Sequence, residues 1–200
     1  MKENETCAVK AVHLHNTSDM VLTNGGVSIL EGGRFMGQAD FMPMLPGDDQ
    51  LVPYDQDTSV SIVRSYPLEL QSHCVERVEP LYEGAQPSSK RRRLVGASLV
   101  HKKVVTTRYT LRNNATDRAV HKFYVDHTAQ PDHGGFIITT EEGAVKAVTG
   151  FSRFECSLLP LEERMLDVSE EVRYRKQVSS RSLEDTSMHR TTLAIYGNIH

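Results

Sequence analysis

Leu14-His15-Asn16-Thr17-Ser18-Asp19 and its later counterpart Leu111-Arg112-Asn113-Asn114-Ala115-Thr116-Asp117 decide how this chain is read. Each closes a strand-like run with an asparagine and a short Thr/Asp turn, residues whose side chains bond to their own backbone in turns. Each has a proline corner downstream: Leu45-Pro46-Gly47-Asp48 for the first, Leu159-Pro160-Leu161-Glu162 for the second. A turn followed much later by Leu-Pro and an acid, twice over, predicts a chain built as two related β halves. The spacing is unequal, 30 residues from Asn16 to Pro46 against 47 from Asn113 to Pro160.

Working outward, the chain alternates with the period of a half-buried strand and is broken by turn residues. Residues 8–15 read as a first strand, and Met20-Val21-Leu22 as a short second one stopped by Asn24-Gly25-Gly26. Val27-Ser28-Ile29-Leu30 follows, and Gly32-Gly33 makes the next turn, because both glycines accept positive φ. Residues 34–41 continue as a strand with Gly37 marking a bulge. Two prolines prevent residues 42–48 from extending a ladder, so they form a corner. Val60 and Ile62 share one face of the strand at 58–64, with Ser59 and Ser61 on the other. The pattern fades between Pro67 and Arg93, and residues 79–93 read as a loop or linker. It returns with an inward row of Val105, Thr107, Tyr109 and Leu111. A row of His121, Phe123 and Val125 follows, and a last one of Leu166, Val168, Val172 and Tyr174. No stretch carries helical spacing over three turns. About ten short strands separated by turns are the pattern of an all-β sandwich.

The net charge of −3 argues against a general nucleic-acid or acidic-membrane binder. No apolar run approaches the ~20 residues of a membrane-spanning helix, and the polar start Met1-Lys2-Glu3-Asn4 is not that of a signal peptide. Three scattered cysteines, Cys7, Cys74 and Cys156, make neither a zinc pattern nor a disulfide framework. They are expected to be reduced and mostly buried, as in a cytoplasmic protein.

Arg108-Tyr109-Thr110-Leu111-Arg112-Asn113, then a turn, Val120-x-x-Phe123-x-Val125-Asp126, a proline loop and a Leu-Pro-x-Glu corner together follow an immunoglobulin-like strand grammar. Over residues 8–178 the chain resembles the C-terminal β-domain of mucoidy-inhibitor-A-like proteins, a family of unknown function. The resemblance rests on the order of weak motifs: the early strand with Asn, the hairpin, the glycine-containing strand at 34–41, the corner Pro46-Gly47-Asp48, and the strand at 60–64. The chain departs from it at Leu161, where the family's second corner usually has Gly, and in having no coiled-coil partner region. That absence, and the end at Gly197-Asn198-Ile199-His200, lead to the expectation of a piece of a longer protein. The resemblance implies a β-sandwich used for protein contacts and supplies no catalytic residue.

Reactive constellations are sparse. His127 and His133, flanked by Asp126 and Asp132, lie six residues apart across a proline loop; that spacing does not converge three or four metal ligands, and a solvated loop is expected. The glycines between 25 and 37 precede no Gly-Lys-Ser/Thr and no helix, so hairpin turns rather than a phosphate loop are expected. No acid/base or nucleophile signature is present. Lys90-Arg91-Arg92-Arg93 is a compact basic run in the predicted loop.

The reading is therefore an all-β, immunoglobulin-like β-sandwich built from two related β halves, or two packed sandwiches. A first half spans 1–78, a loop or linker 79–93 and a second half 94–178. A polar tail, 179–200, carries a last strand near 192–196. The expected function is a non-enzymatic, cytoplasmic scaffold or protein-interaction module with no cofactor and no bound metal. It would take a protein partner or self-associate, without binding nucleic acid or inserting into a membrane. Partner contacts are expected at Val60, Ile62 and Arg64 on an exposed edge, at Arg91, Arg92 and Arg93, and at Leu193, Ile195 and Tyr196. The alternative is a ligand- or carbohydrate-binding β-sandwich using loops 130–135 and 79–93.

Overall fold

The computed structural model describes residues 7–83 and 93–179. These residues form an all-β protein of eleven strands: β1 (Cys7–His15), β2 (Gly25–Glu31), β3 (Arg34–Phe41), β4 (Asp49–Ser65), β5 (Ser72–Glu83), β6 (Arg93–Asn113), β7 (Val120–Thr128), β8 (Ile137–Ile138), β9 (Ala144–Val148), β10 (Phe151–Leu158) and β11 (Glu163–Ser179). Two 3-10 turns, Leu68–Leu70 and Asp132–Gly134, interrupt them. Among the described residues no helix is long and apolar enough to cross a membrane.

The chain divides into two compact units. The first contains the chain up to Ser65, then Arg108–Phe123 and Cys156–Leu166. Here β1 runs antiparallel to β4, from His15 opposite Asp49 to Ala8 opposite Asp57. On its other side β4 pairs residues 60–65 with residues 113–108 of β6. Strands β2 and β3 form a hairpin whose two-residue turn, Gly32 and Gly33, has φ of +56° and +81°. That is the mirror-image turn whose twist suits a hairpin. The ladder slips between Ile29 and Leu30, beside Gly37, where the sequence places a bulge. Gly25 and Gly26, read as a turn, instead open β2. They pair with Phe41 and Asp40, which leaves the chain reversal to Gly32-Gly33 alone. The unit buries Met44, Val52, Val60, Leu111 and Leu158.

The second unit takes Tyr66–Thr107, Tyr124–Glu155 and the chain from Asp167. In it β5 pairs with β6 from Ser72 opposite Val104 to Glu83 opposite Arg93. Residues 79–83, expected in a loop, thus belong to a long strand. Pro80 there sits opposite Ala97 in a ladder, and periodicity fails because β5 is exposed on both faces along most of its length. Strand β11 neighbours β6, and its Glu170 and Glu171 pair with Ile138 and Ile137 of β8. Strands β7, β10 and β9 form a three-stranded sheet. The approach of β6 to β11 is close at Gly96, where a Cβ would lie 2.2 Å from the Val178 carbonyl oxygen, so only glycine fits. Phe136, Val105, Val172 and Ala129 form a buried apolar cluster with Tyr174 packed against it. Contrary to expectation Cys74 is exposed, because it lies on β5, and Cys156 is half-buried.

Candidate functional site

The first unit contains both asparagine corners, and their hydrogen bonds match almost bond for bond. Asn16 is 2% exposed and Asn113 is 0% exposed. The Asn16 N–H donates to the Asp48 carbonyl at 2.9 Å, and the Asn113 N–H donates to the Glu162 carbonyl at 2.9 Å. Each Oδ1 accepts from the backbone N–H two residues on, Ser18 at 3.2 Å and Ala115 at 3.0 Å. Each Nδ2 donates forward along its own turn, to the Met20 carbonyl at 2.8 Å or the Arg118 carbonyl at 2.8 Å. Each also donates across to the proline corner, to Met44 at 3.2 Å or Leu159 at 3.0 Å. A buried amide with every polar atom paired holds two distant loops in one geometry.

The proline corners are pinned in the same way. The Asp48 carboxylate accepts the Leu45 N–H at 2.7 Å, and the Glu162 carboxylate accepts the Leu159 N–H at 2.5 Å. In each corner the acid that follows meets a basic side chain on the strand that leads into the asparagine: Asp49 lies 2.7 Å from His13 Nε2, and Glu163 lies 3.9 Å from an Arg112 guanidinium nitrogen. Gly47 and Leu161, at equivalent places, both have positive φ, +83° and +59°. The leucine is the one an L side chain disfavours. What these corners present outward is apolar: Leu45, Leu159 and Leu161 are 59%, 65% and 54% exposed, with Met20, Val21 and Met42 also exposed beside the first corner.

The second unit carries a cluster of rings. His73 on β5 and His101 on β6 lie in a diagonal cross-strand relation, since His73 is opposite Lys103. His73 Nε2 is 3.1 Å from His101 Nδ1 and 3.0 Å from the Tyr174 hydroxyl of β11. Tyr174 stacks on His101 with centroids 5.0 Å apart and on His133 at 3.7 Å. His133 is held there by a left-handed backbone, φ +56°. His101 is 7% exposed and its buried Nε2 has no hydrogen-bond partner among the described residues. Its burial, followed by charge on His73, Lys176 and His133, lowers its pKa from the ordinary histidine value.

The expected site residues fall elsewhere. Val60 is buried and residues 60–65 are paired along one side to β6, while on the other side β1 runs beside 49–57 and reaches this segment only at Ser61, opposite Cys7. Alternation revealed the faces of that strand but not its neighbours. Ile62 and Arg64 lie opposite Leu111 and Tyr109 and are half-buried. Arg93 opens β6 opposite Glu83. Arg91, Arg92, Leu193, Ile195 and Tyr196 lie outside the described residues. His127, read as part of a solvated loop, lies in β7 and is 1% exposed, 3.7 Å from the equally buried Glu170. Asp126 instead pairs with Arg153 at 2.6 and 2.8 Å. Among the described residues no three His, Cys, Asp or Glu side chains are grouped to hold a metal ion. No protein-family profile, curated protein or solved structure matches the chain.

Proposed function

We propose that this protein is a non-enzymatic scaffold, acting inside the cell, that associates with a protein partner through its proline corners. The supporting observation is the exposure of Leu45 and Leu159 on backbones held by carboxylate hydrogen bonds. Apolar side chains presented on rigid loops bind with less ordering cost than mobile ones, and exposed apolar patches of this kind mark interaction surfaces. Leu161 adds to the case: it is a leucine held in the left-handed region, where glycine would be unstrained, with its side chain more than half exposed. In this reading the immunoglobulin-like sandwich with two related halves is the framework that displays the corners, and their matching bonds support it.

Co-purification of the tagged chain from the cells that make it, wild type beside a Leu45→Asp/Leu159→Asp variant, tests the reading. A partner that is retained by wild type and lost from an equally stable variant is the expected result. An unchanged set of co-purifying proteins would remove the corners from consideration.

A further inference from the structure

The ring cluster joins four pieces of chain: β5 through His73, β6 through His101, β11 through Tyr174, and the turn at Asp132–Gly134 through His133. Around His101 the charge that can develop is almost all positive. His73 faces it from β5, Lys176 from β11 and His133 from the turn. Lys103 follows two residues along its own strand and sits 5.7 Å from the Phe136 ring centroid. Asp132, next to His133, is the one carboxylate on that turn.

We propose that this cluster is an acid-sensitive latch, in which added protons release the loop at 130–136 from Tyr174 and loosen the Phe136 cluster behind it. The argument is one of linkage. His101 is buried, and one of its nitrogens is unpartnered whichever tautomer it adopts, so a proton there has neither water nor an acceptor to stabilise it. Undocking His133 admits water and removes one positive neighbour. The undocked loop therefore binds the proton more tightly than the docked one, and by reciprocity the proton favours undocking. A charged His133 over the Tyr174 face gains some cation–π attraction, which opposes release when His133 alone is charged. The repulsion comes once His101 or His73 carries a charge as well. The bonds that hold the start of the loop, Ala129 N–H to the Gly150 carbonyl at 2.9 Å and Gln130 N–H to the Glu170 carboxylate at 3.0 Å, contain no cluster histidine. They limit the response to a local opening rather than unfolding.

Hydrogen exchange on the full chain at pH 7.5 and 5.5, corrected for intrinsic rates, tests the latch. The amides of Gly135 and Phe136 should exchange severalfold faster at the lower pH, because the undocked loop binds the proton more tightly. Protection in the β5–β6 ladder should hold. His133→Phe keeps a ring on Tyr174 without a titrating nitrogen and should reduce the difference, and His101→Phe should abolish it, while Glu170→Gln should retain it. Equal protection at both pH values, or an undiminished difference in His133→Phe, overturns the proposal. If His101→Phe does not fold, proton NMR of the wild type decides in its place. Phe136 ring signals must shift in the same pH window as the imidazole signals, and stationary signals overturn it.

Discussion

Asn16 and Asn113 each reach from the end of a strand to a Leu-Pro corner far along the chain, with the same backbone donor, the same two-residue cap and a carboxylate, Asp48 or Glu162, locking the corner. They differ in what stands behind those bonds. At the first corner the Ser18 hydroxyl donates to Asn16 Oδ1 at 2.7 Å and also contacts Met20 N and O at 3.3 Å, so the turn has a second capping group. At the second corner Ala115 occupies that place and Asn113 is alone. The corner N–H bonds diverge too: Gly47 donates to the carbonyl of Asn16 itself, Leu161 to that of Ala115. One geometry is thus reached with redundancy and a glycine in one case, and with a single amide and a strained leucine in the other.

The largest expected effect follows from that redundancy. Asn113→Ala should destabilise the protein by about 3 kcal/mol and Asn16→Ala by about 2 kcal/mol, since each leaves buried backbone groups unpaired and only the first corner has a hydroxyl in reserve. Urea denaturation of both variants measures it. Equal losses would mean that Ser18 adds nothing, and a loss below about 0.5 kcal/mol at either site would break the equivalence.

The corner acids come next. Asp48→Ala and Glu162→Ala each remove a carboxylate acceptor from a leucine N–H and should cost about 1 kcal/mol. Glu162 should be the costlier of the two, because it is half-buried while Asp48 is exposed. Thermal unfolding of the pair would show the order.

Both corners were legible in the sequence, since Asn followed by Thr/Asp, and Leu-Pro followed by an acid, are local signals for a turn and a ladder break. The alternation of β6 was equally legible: Val105, Thr107, Tyr109 and Leu111 are all buried. Thr106, which the same alternation puts on the opposite face, is buried too. Its hydroxyl lies 2.8 Å from that of Ser169, and its backbone meets the Gln71 amide, contacts no single strand predicts. The ring cluster was half legible. His101 falls on the inward parity of Val105 and Tyr174 on that of Val172, but the parity of separate strands says nothing about register, and register alone brings His73 beside them. His127 was misplaced because Asp126 and the nearby Pro131 suggested a loop, whereas the strand runs on to Thr128.

A smaller effect of opposite sign at the two corners tests their shared backbone geometry. Leu161→Gly should stabilise by about 0.5 kcal/mol, as relief of the left-handed strain slightly exceeds the added freedom of glycine when unfolded. Gly47→Ala should destabilise by about 1 kcal/mol. A Cβ at Gly47 meets nothing within 4 Å, so any loss there is conformational rather than steric. Two destabilised variants would show that the Leu161 side chain packs in a way that offsets its strain.

The smallest effect is a pH dependence confined to the second corner. Burial raises the Asp57 pKa, but bonds from the Ser59 hydroxyl and N–H, helped by Lys10 and Arg118, outweigh it and hold the pKa below 3.8. The Ser59 carbonyl in turn accepts the Asn114 N–H at 2.7 Å, which ties Asp57 to the turn after Asn113. A carboxyl whose native pKa is depressed contributes stability above its unfolded value and loses it as pH falls through the native value. The wild type should therefore exceed Asp57→Asn in stability above pH 3.8, and the gap should close as the solution is made more acidic. Urea melts between pH 3 and 5 read this directly. Combined with Asn113→Ala the Asp57 effect should shrink, because the turn it supports is already loosened, whereas combined with Asn16→Ala it should add unchanged. Coupling of Asp57 to Asn16 as strong as to Asn113 would show that the two corners respond as one.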